Sequence, residues 1–131
     1  MKSSLRILLV EDDLKHANLF FYALEDMGLE RKNTHWVENS DQALESLDSQ
    51  SFQLALVDLL MPGSTLDGIA LTKAIKERNP EIFVVLFTVS RDEQDKEAAI
   101  AAGANFFLSK PFDFDELLTA LNSIFTHVEQ R

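Results

Sequence analysis

A strict alternation constrains this 131-residue chain more than any other feature: five times, a short apolar run precedes a segment whose apolar residues recur at helical spacing. Arg6 to Val10 is the first run; Leu14, Ala17, Phe21 and Leu24 then share one helical face, closed by Gly28 at a C-cap position. Thr34 to Val37 (THWV) is the second, with Asn39, Ser40 and Asp41 as cap residues before Ala43, Leu44 and Leu47. Leu54 to Val57 (LALV) is wholly apolar, as expected for a strand covered on both faces, and Ile69 to Arg78 reads as the helix beyond a loop with Gly and Pro. Ile82 to Phe87 (IFVVLF) precedes an alanine-rich helix from Asp92 to Ala102, ended by Gly103. Asn105 to Leu108 opens the fifth unit, whose helix carries Phe114, Leu117, Leu118, Leu121, Ile124 and Phe125. Such alternation predicts right-handed βαβ crossovers and a doubly wound α/β fold, a parallel five-stranded sheet between two layers of helices.

Composition narrows the class further. With 46% apolar and 26% charged residues, the chain can build a core without disulfide or metal staples, which excludes disorder as its main state. No repeat, low-complexity tract or linker interrupts it, so residues 1–131 are expected to form one domain. The absence of cysteine excludes thiol catalysis and thiolate zinc sites and fits a reducing, cytoplasmic setting. No apolar stretch approaches the roughly 18 residues of a membrane helix. The opening MKSSLRILLVEDD ends its apolar run in acids instead of a small-residue cleavage site, and reads as a first strand. A formal net charge of -10 argues against nucleic-acid binding by this domain, because phosphate binding needs clustered cations.

In doubly wound sheets ligands sit outside the carboxyl ends of the strands. The first strand ends in Glu11, Asp12 and Asp13, the third in Asp58, the fourth in Thr88 and the fifth in Lys110, while the second ends without an obvious chemical group. If these strands are neighbours, carboxylates, a hydroxyl and an ammonium converge on one rim. Two like charges about 4 Å apart repel by roughly 4 kcal/mol at an effective dielectric near 20, so the cluster calls for a cation. Oxygen ligands with open water positions favour Mg2+ over a full Ca2+ cage. An ion there also prepares a site for a phosphoryl group, with Lys110 and Thr88 contacting its oxygens and Asp58 as nucleophile.

Plainer explanations exist for each residue. Asp12 or Asp13 can cap the first helix, and Asp13 is expected to do so. Asp58 and Lys110 can form a structural ion pair, and threonine is common at strand ends. None of these requires the reactive groups to fall at the carboxyl ends of different strands, as they do. His16, His35 and His127 lie on separate elements without metal-ligand spacing and read as structural or solvent-facing.

These segments, ILLVEDD at 7–13, LALVDLLMPG at 54–63, VVLFTVS at 84–90 and AAGANFFLSKPFDFDELL at 101–118, resemble the receiver domain of two-component response regulators, of the chemotaxis-response-regulator type. The resemblance covers essentially the whole chain. It implies a flavodoxin-like (βα)5 sandwich with strand order 2-1-3-4-5. It also implies that Asp58 is the phosphoacceptor and a metal ligand. Asp12 would bind Mg2+ directly, Glu11 through water, and the Leu60 backbone carbonyl would be a further ligand, with Mn2+ able to substitute. Lys110 would pair with a phosphoryl oxygen, Thr88 would hydrogen-bond another, Phe107 would match the aromatic switch position, and Lys110–Pro111 would be a candidate cis peptide.

Two departures stand out. Many members follow the phosphoacceptor with MPGMDG; here MPGSTLDG carries two extra residues, Ser64 and Thr65, so the loop should be longer, with Gly63 and Gly68 permitting unusual backbone angles. The switch position is Phe instead of the more frequent Tyr, which would gain packing but no hydroxyl bond, or would simply be core. The implied partners are a sensor histidine kinase or histidine phosphotransfer domain, and a downstream protein or effector domain on the face of the fourth helix, fifth strand and fifth helix. The chain would act as a monomer or a phosphorylation-dependent dimer. Its end at THVEQR suits either a stand-alone regulator or a receiver separated from an effector domain. A rival class is a phosphohydrolase that turns over an aspartyl phosphate, but it would need a second acid where Leu60 stands. Another is a pseudo-receiver that binds partners without being phosphorylated, against which the intact set Glu11, Asp12, Asp58, Thr88 and Lys110 speaks.

Overall fold

Ile7, Leu9, Leu54, Leu56, Val85 and Phe87 pack on one side of a sheet, and Leu8, Val10, Ala55, Val57, Val84 and Leu86 on the other. Successive strand residues point to opposite faces, so runs that are apolar at every position bury both. The computed structural model describes residues 5–110 and 113–129. The strands are β1 (Ile7–Val10), β2 (Thr34–Val37), β3 (Leu54–Asp58), β4 (Phe83–Thr88) and β5 (Phe106–Ser109). They alternate with α1 (Leu14–Asp26), α2 (Ser40–Ser49), α3 (Gly68–Arg78), α4 (Glu93–Ala101) and α5 (Phe114–Glu129). The sheet is parallel, in the order β2-β1-β3-β4-β5. This is the doubly wound, flavodoxin-like three-layer architecture that the sequence predicts.

Phe20 and Leu24 of α1 with Leu117, Leu121 and Phe125 of α5 fill one core. Ala43 of α2, Leu71 and Ile75 of α3 and Ala99 of α4 fill the other. Full burial of a residue such as Leu56 or Phe87 contributes roughly 1.5–3 kcal/mol. The pairing of Val10 with Val57, Asp58 with Phe87 and Thr88 with Ser109 brings the strand ends level on one rim.

Helix starts follow the cap chemistry. Asp13 caps α1 by accepting from the Lys15 amide at 2.8 Å, as expected, while Asn39, Asp67 and Asp92 cap α2, α3 and α4. The fifth strand starts one residue later than the apolar run suggests. The Asn105 amide still donates to the Val84 carbonyl at 2.8 Å, but the Val84 amide donates to the Asn105 side-chain oxygen at 2.9 Å, which also accepts from Lys76 Nζ at 2.7 Å. Among the described residues no helix is long and apolar enough to cross a membrane.

Candidate functional site

Four polar side chains lie buried at the carboxyl rim: Glu11, Asp58, Thr88 and Lys110. Parallel pairing of β1, β3 and β4, with β5 next to β4, places them together, because each terminates or directly follows its strand. Lys110 Nζ is 3.5 Å from Glu11 Oε2 and 3.4 Å from Asp58 Oδ2, and lies 5.0 Å from the centre of the Phe87 ring. Asp58 Oδ1 accepts from the Leu60 amide at 3.2 Å, and Glu11 Oε1 accepts from the Asp13 amide at 3.1 Å. The Lys110 amide donates to the Thr88 carbonyl at 2.6 Å, fixing the lysine backbone to the end of β4.

One ammonium cannot balance two buried carboxylates. Burial, reinforced by the Asp58 charge, pushes Glu11 from an ordinary 4.5 up to about 8, against the pull of Lys110. Burial likewise raises Asp58, with Lys110 pulling the other way. Asp12 is exposed at the mouth, and single carboxylate oxygens of Glu11, Asp12 and Asp58 lie within 4.8 Å of one another. An all-oxygen donor set with excess negative charge and one solvent-facing member fits a hard divalent cation that keeps waters.

Thr88 is fully buried, and its Oγ1 accepts from the Ser90 amide at 3.1 Å. Ser90 Oγ in turn donates to Asp95 Oδ2 at 2.6 Å, tying the loop to the first turn of α4. Phe107 is half-buried against the second core and borders a cavity of about 220 Å³ shared with Ser90, Lys96 and Ser109. Pro111, and with it the Lys110–Pro111 peptide, lies outside the described residues.

The structure sharpens one expectation and corrects another. His16, expected to be structural or solvent-facing, is half-exposed and lies at the pocket: its Nδ1 is 3.3 Å from Lys110 Nζ and 3.7 Å from Glu11 Oε1. The available signal was its place in the first turn of a helix that begins at the rim. Gly68 is not needed for an unusual backbone angle, which only Gly63 of that loop adopts, with φ 85. It is needed for space: a Cβ there would sit 2.4 Å from the Asp58 carbonyl oxygen. Sequence reasoning also missed Trp36, whose indole N–H donates to the Glu11 carbonyl at 2.6 Å.

The two extra residues of the loop after Asp58 have partners on α2. Ser64 Oγ accepts from the Ser40 amide and donates to Ser40 Oγ, both at 3.0 Å, and Thr65 Oγ1 donates to Asp41 Oδ2 at 3.1 Å. The longer loop is therefore docked on the start of α2.

Residues 7–122 match the model of the response regulator receiver domain. The chain belongs to this family. It is a phosphorylation-dependent signalling domain with a regulatory role. It is 36% identical over 121 residues to the transcriptional regulatory protein ZraR of Escherichia coli K12, covering 92% of this chain and 26% of that protein. It is also 36% identical over 94 residues to the DNA-binding transcriptional regulator NtrC of the same organism, covering 72% of this chain and 20% of that one. The chain thus spans about a quarter or less of these relatives. Among solved structures, NtrX from Brucella abortus superposes with a TM-score of 0.84 at 30% identity, covering 95% of this chain and 27% of that one. A CheY-like receiver domain protein from Methanospirillum hungatei, 23% identical, shares the fold with a TM-score of 0.84 over 98% of both chains.

Proposed function

We propose that residues 1–131 act as one receiver domain in which Asp58 accepts a phosphoryl group from a phosphohistidine of a sensor kinase or histidine phosphotransfer domain. The observation that carries this is the buried Asp58–Lys110–Glu11 cluster, whose charge is incomplete without a cation. An Asp58 carboxylate oxygen forms the new P–O bond, the P–N bond of the donor breaks, and its electron pair stays on the donor imidazole. Lys110 neutralises charge on the transferring group from its place between Glu11 and Asp58. Glu11, Asp12, Asp58 and the Leu60 carbonyl would hold Mg2+, or Mn2+ in its place, which supplies charge neutralisation for the phosphoryl oxygens. The same groups would assist both acquisition and loss of the phosphoryl group.

Phosphorylation adds about -1.5 to -2 charge at Asp58. The Thr88 hydroxyl turns to donate to a phosphoryl oxygen, and a shift of Thr88 towards it strips the Ser90 amide of its acceptor. The Ser90–Asp95 bond passes the strain to α4, and Phe107 can move into the space Thr88 leaves. The output face is α4, β5 and α5, offered to a downstream protein or effector domain, with the chain as monomer or phosphorylation-dependent dimer. A cytoplasmic location goes with a phosphohistidine donor. The test is incubation with acetyl phosphate and Mg2+ followed by intact mass measurement. One phosphoryl group per chain is expected, lost in Asp58→Asn; stoichiometric labelling of that variant would rule Asp58 out as acceptor.

A further inference from the structure

An ammonium has three donors, and Lys110 meets three acceptors at nearly equal distance: Glu11 Oε2 at 3.5 Å, Asp58 Oδ2 at 3.4 Å and His16 Nδ1 at 3.3 Å. Lysine offers donors only, so in this contact Nδ1 has the acceptor role, that of the tautomer protonated at Nε2. The imidazole is 47% exposed, whereas the Lys110 and Glu11 side chains are 9% and 0% exposed. It therefore stands at the mouth of the pocket, between solvent and the ammonium. Its own position is fixed, because α1 is capped by Asp13 three residues before it and buries Ala17 directly after it.

In the phosphotransfer proposed above, Glu11 and Asp58 turn their oxygens to a cation and to the reacting phosphorus. Among the described residues, His16 is the one acceptor of Lys110 with neither task. Without it, the ammonium would keep as hydrogen-bond acceptors, among the described residues, the two carboxylates whose oxygens are otherwise engaged, beside its contact with the Phe87 ring. We infer that His16 is a positioning residue: through its 3.3 Å contact it holds the Lys110 ammonium on the solvent side of the carboxylate pair, facing the incoming phosphoryl group. The inference rests on the phosphotransfer reading and adds to it a residue that does not touch Asp58.

The experiment compares the full chain with His16→Ala and His16→Asn, measuring the acetyl phosphate phosphorylation rate and, separately, Mg2+ affinity from the emission of Trp36. His16→Ala should slow phosphorylation roughly 3- to 10-fold while Mg2+ affinity stays within about two-fold. His16→Asn, whose amide oxygen is a neutral acceptor, should recover most of the rate. In a Lys110→Ala background, His16→Ala should have almost no further effect, since its action runs through that lysine. A His16→Ala rate equal to wild type would overturn the inference, as would an Asn variant as slow as Ala, or rate and Mg2+ affinity falling together. A wild-type chain that accepts no phosphoryl group at all would instead overturn the phosphotransfer reading, and the inference with it.

Discussion

The two halves of the carboxyl rim are built differently. On the β1 and β3 side every strand residue is buried, and Glu11 and Asp58 are held by backbone amides and by Lys110. On the β4–α4 and β5 side, α4 buries only Ala99 of its nine residues, and β5 is half-buried apart from an exposed Ser109. Thr88 is the join, buried itself but bonded to the exposed loop through Ser90. The contrast separates two tasks. Chemistry needs groups that do not move, and a switch needs a segment whose displacement costs little. An anchored half next to a lightly held one provides both within a single sheet.

The largest effect expected from this contrast is electrostatic and confined to the anchored half. Glu11 is raised from 4.5 to about 8, so between these values the folded chain binds more protons than the unfolded one. Stability is then fully present below about pH 4.5 and is lost as pH rises through 8, by an amount on the order of a few kcal/mol. Thermal melts in a chelator should show this decline, Mg2+ should flatten it, and Glu11→Gln should reduce it to the part that buried Asp58 contributes, while Asp95→Asn on α4 leaves it in place. A decline of equal size in the Glu11→Gln chain would remove the contrast.

Packing gives the next effect. Leu56→Ala, at a fully buried centre of β3, should cost about 3 kcal/mol in urea unfolding, whereas Ile100→Ala, 58% exposed on α4, should stay within about 0.5 kcal/mol. Equal losses would mean that α4 is as firmly held as β3. Gly68→Ala should follow, at about 2 kcal/mol, because the added Cβ meets the Asp58 carbonyl oxygen at 2.4 Å and the Leu59 Cα at 2.5 Å. An Ala chain as stable as wild type would show that the α3 start can shift freely. Ser64→Ala, which removes the tie between the loop after Asp58 and α2, should cost the least, about 0.5 to 1 kcal/mol. A null result there would mark the extra residues as a passive insertion.

Much of this was legible in the chain. Runs such as LALV and IFVVLF are apolar at every position, so a sheet covered on both faces follows from period alone. Asp58, Thr88 and Lys110 were visible because parallel strands of similar length end on one rim, so a polar residue ending an apolar run falls there. What stayed hidden depends on directions that sequence does not encode. Trp36 sits in a strand with no reactive terminus, yet its indole turns towards the Glu11 carbonyl. His16 lacks metal-ligand spacing, and only the approach of Lys110 from a strand far along the chain gives it a partner. Gly68 looked like a residue chosen for backbone angle, whereas the reason is the closeness of α3 to the end of β3. The Ser64 and Thr65 insertion was visible as added length, but its docking on Ser40 and Asp41 needs the three-dimensional neighbourhood of α2.

The central claim is that the anchored half exists to place one phosphoryl group on Asp58. Borohydride reduction of the acetyl phosphate-treated chain, followed by peptide sequencing in the mass spectrometer, tests it most directly, because reduction of an acyl phosphate converts the modified aspartate to homoserine. The account expects homoserine at position 58 alone. Conversion at Asp12 or Asp13, or a phosphoryl group on a residue that borohydride leaves unchanged, would contradict it.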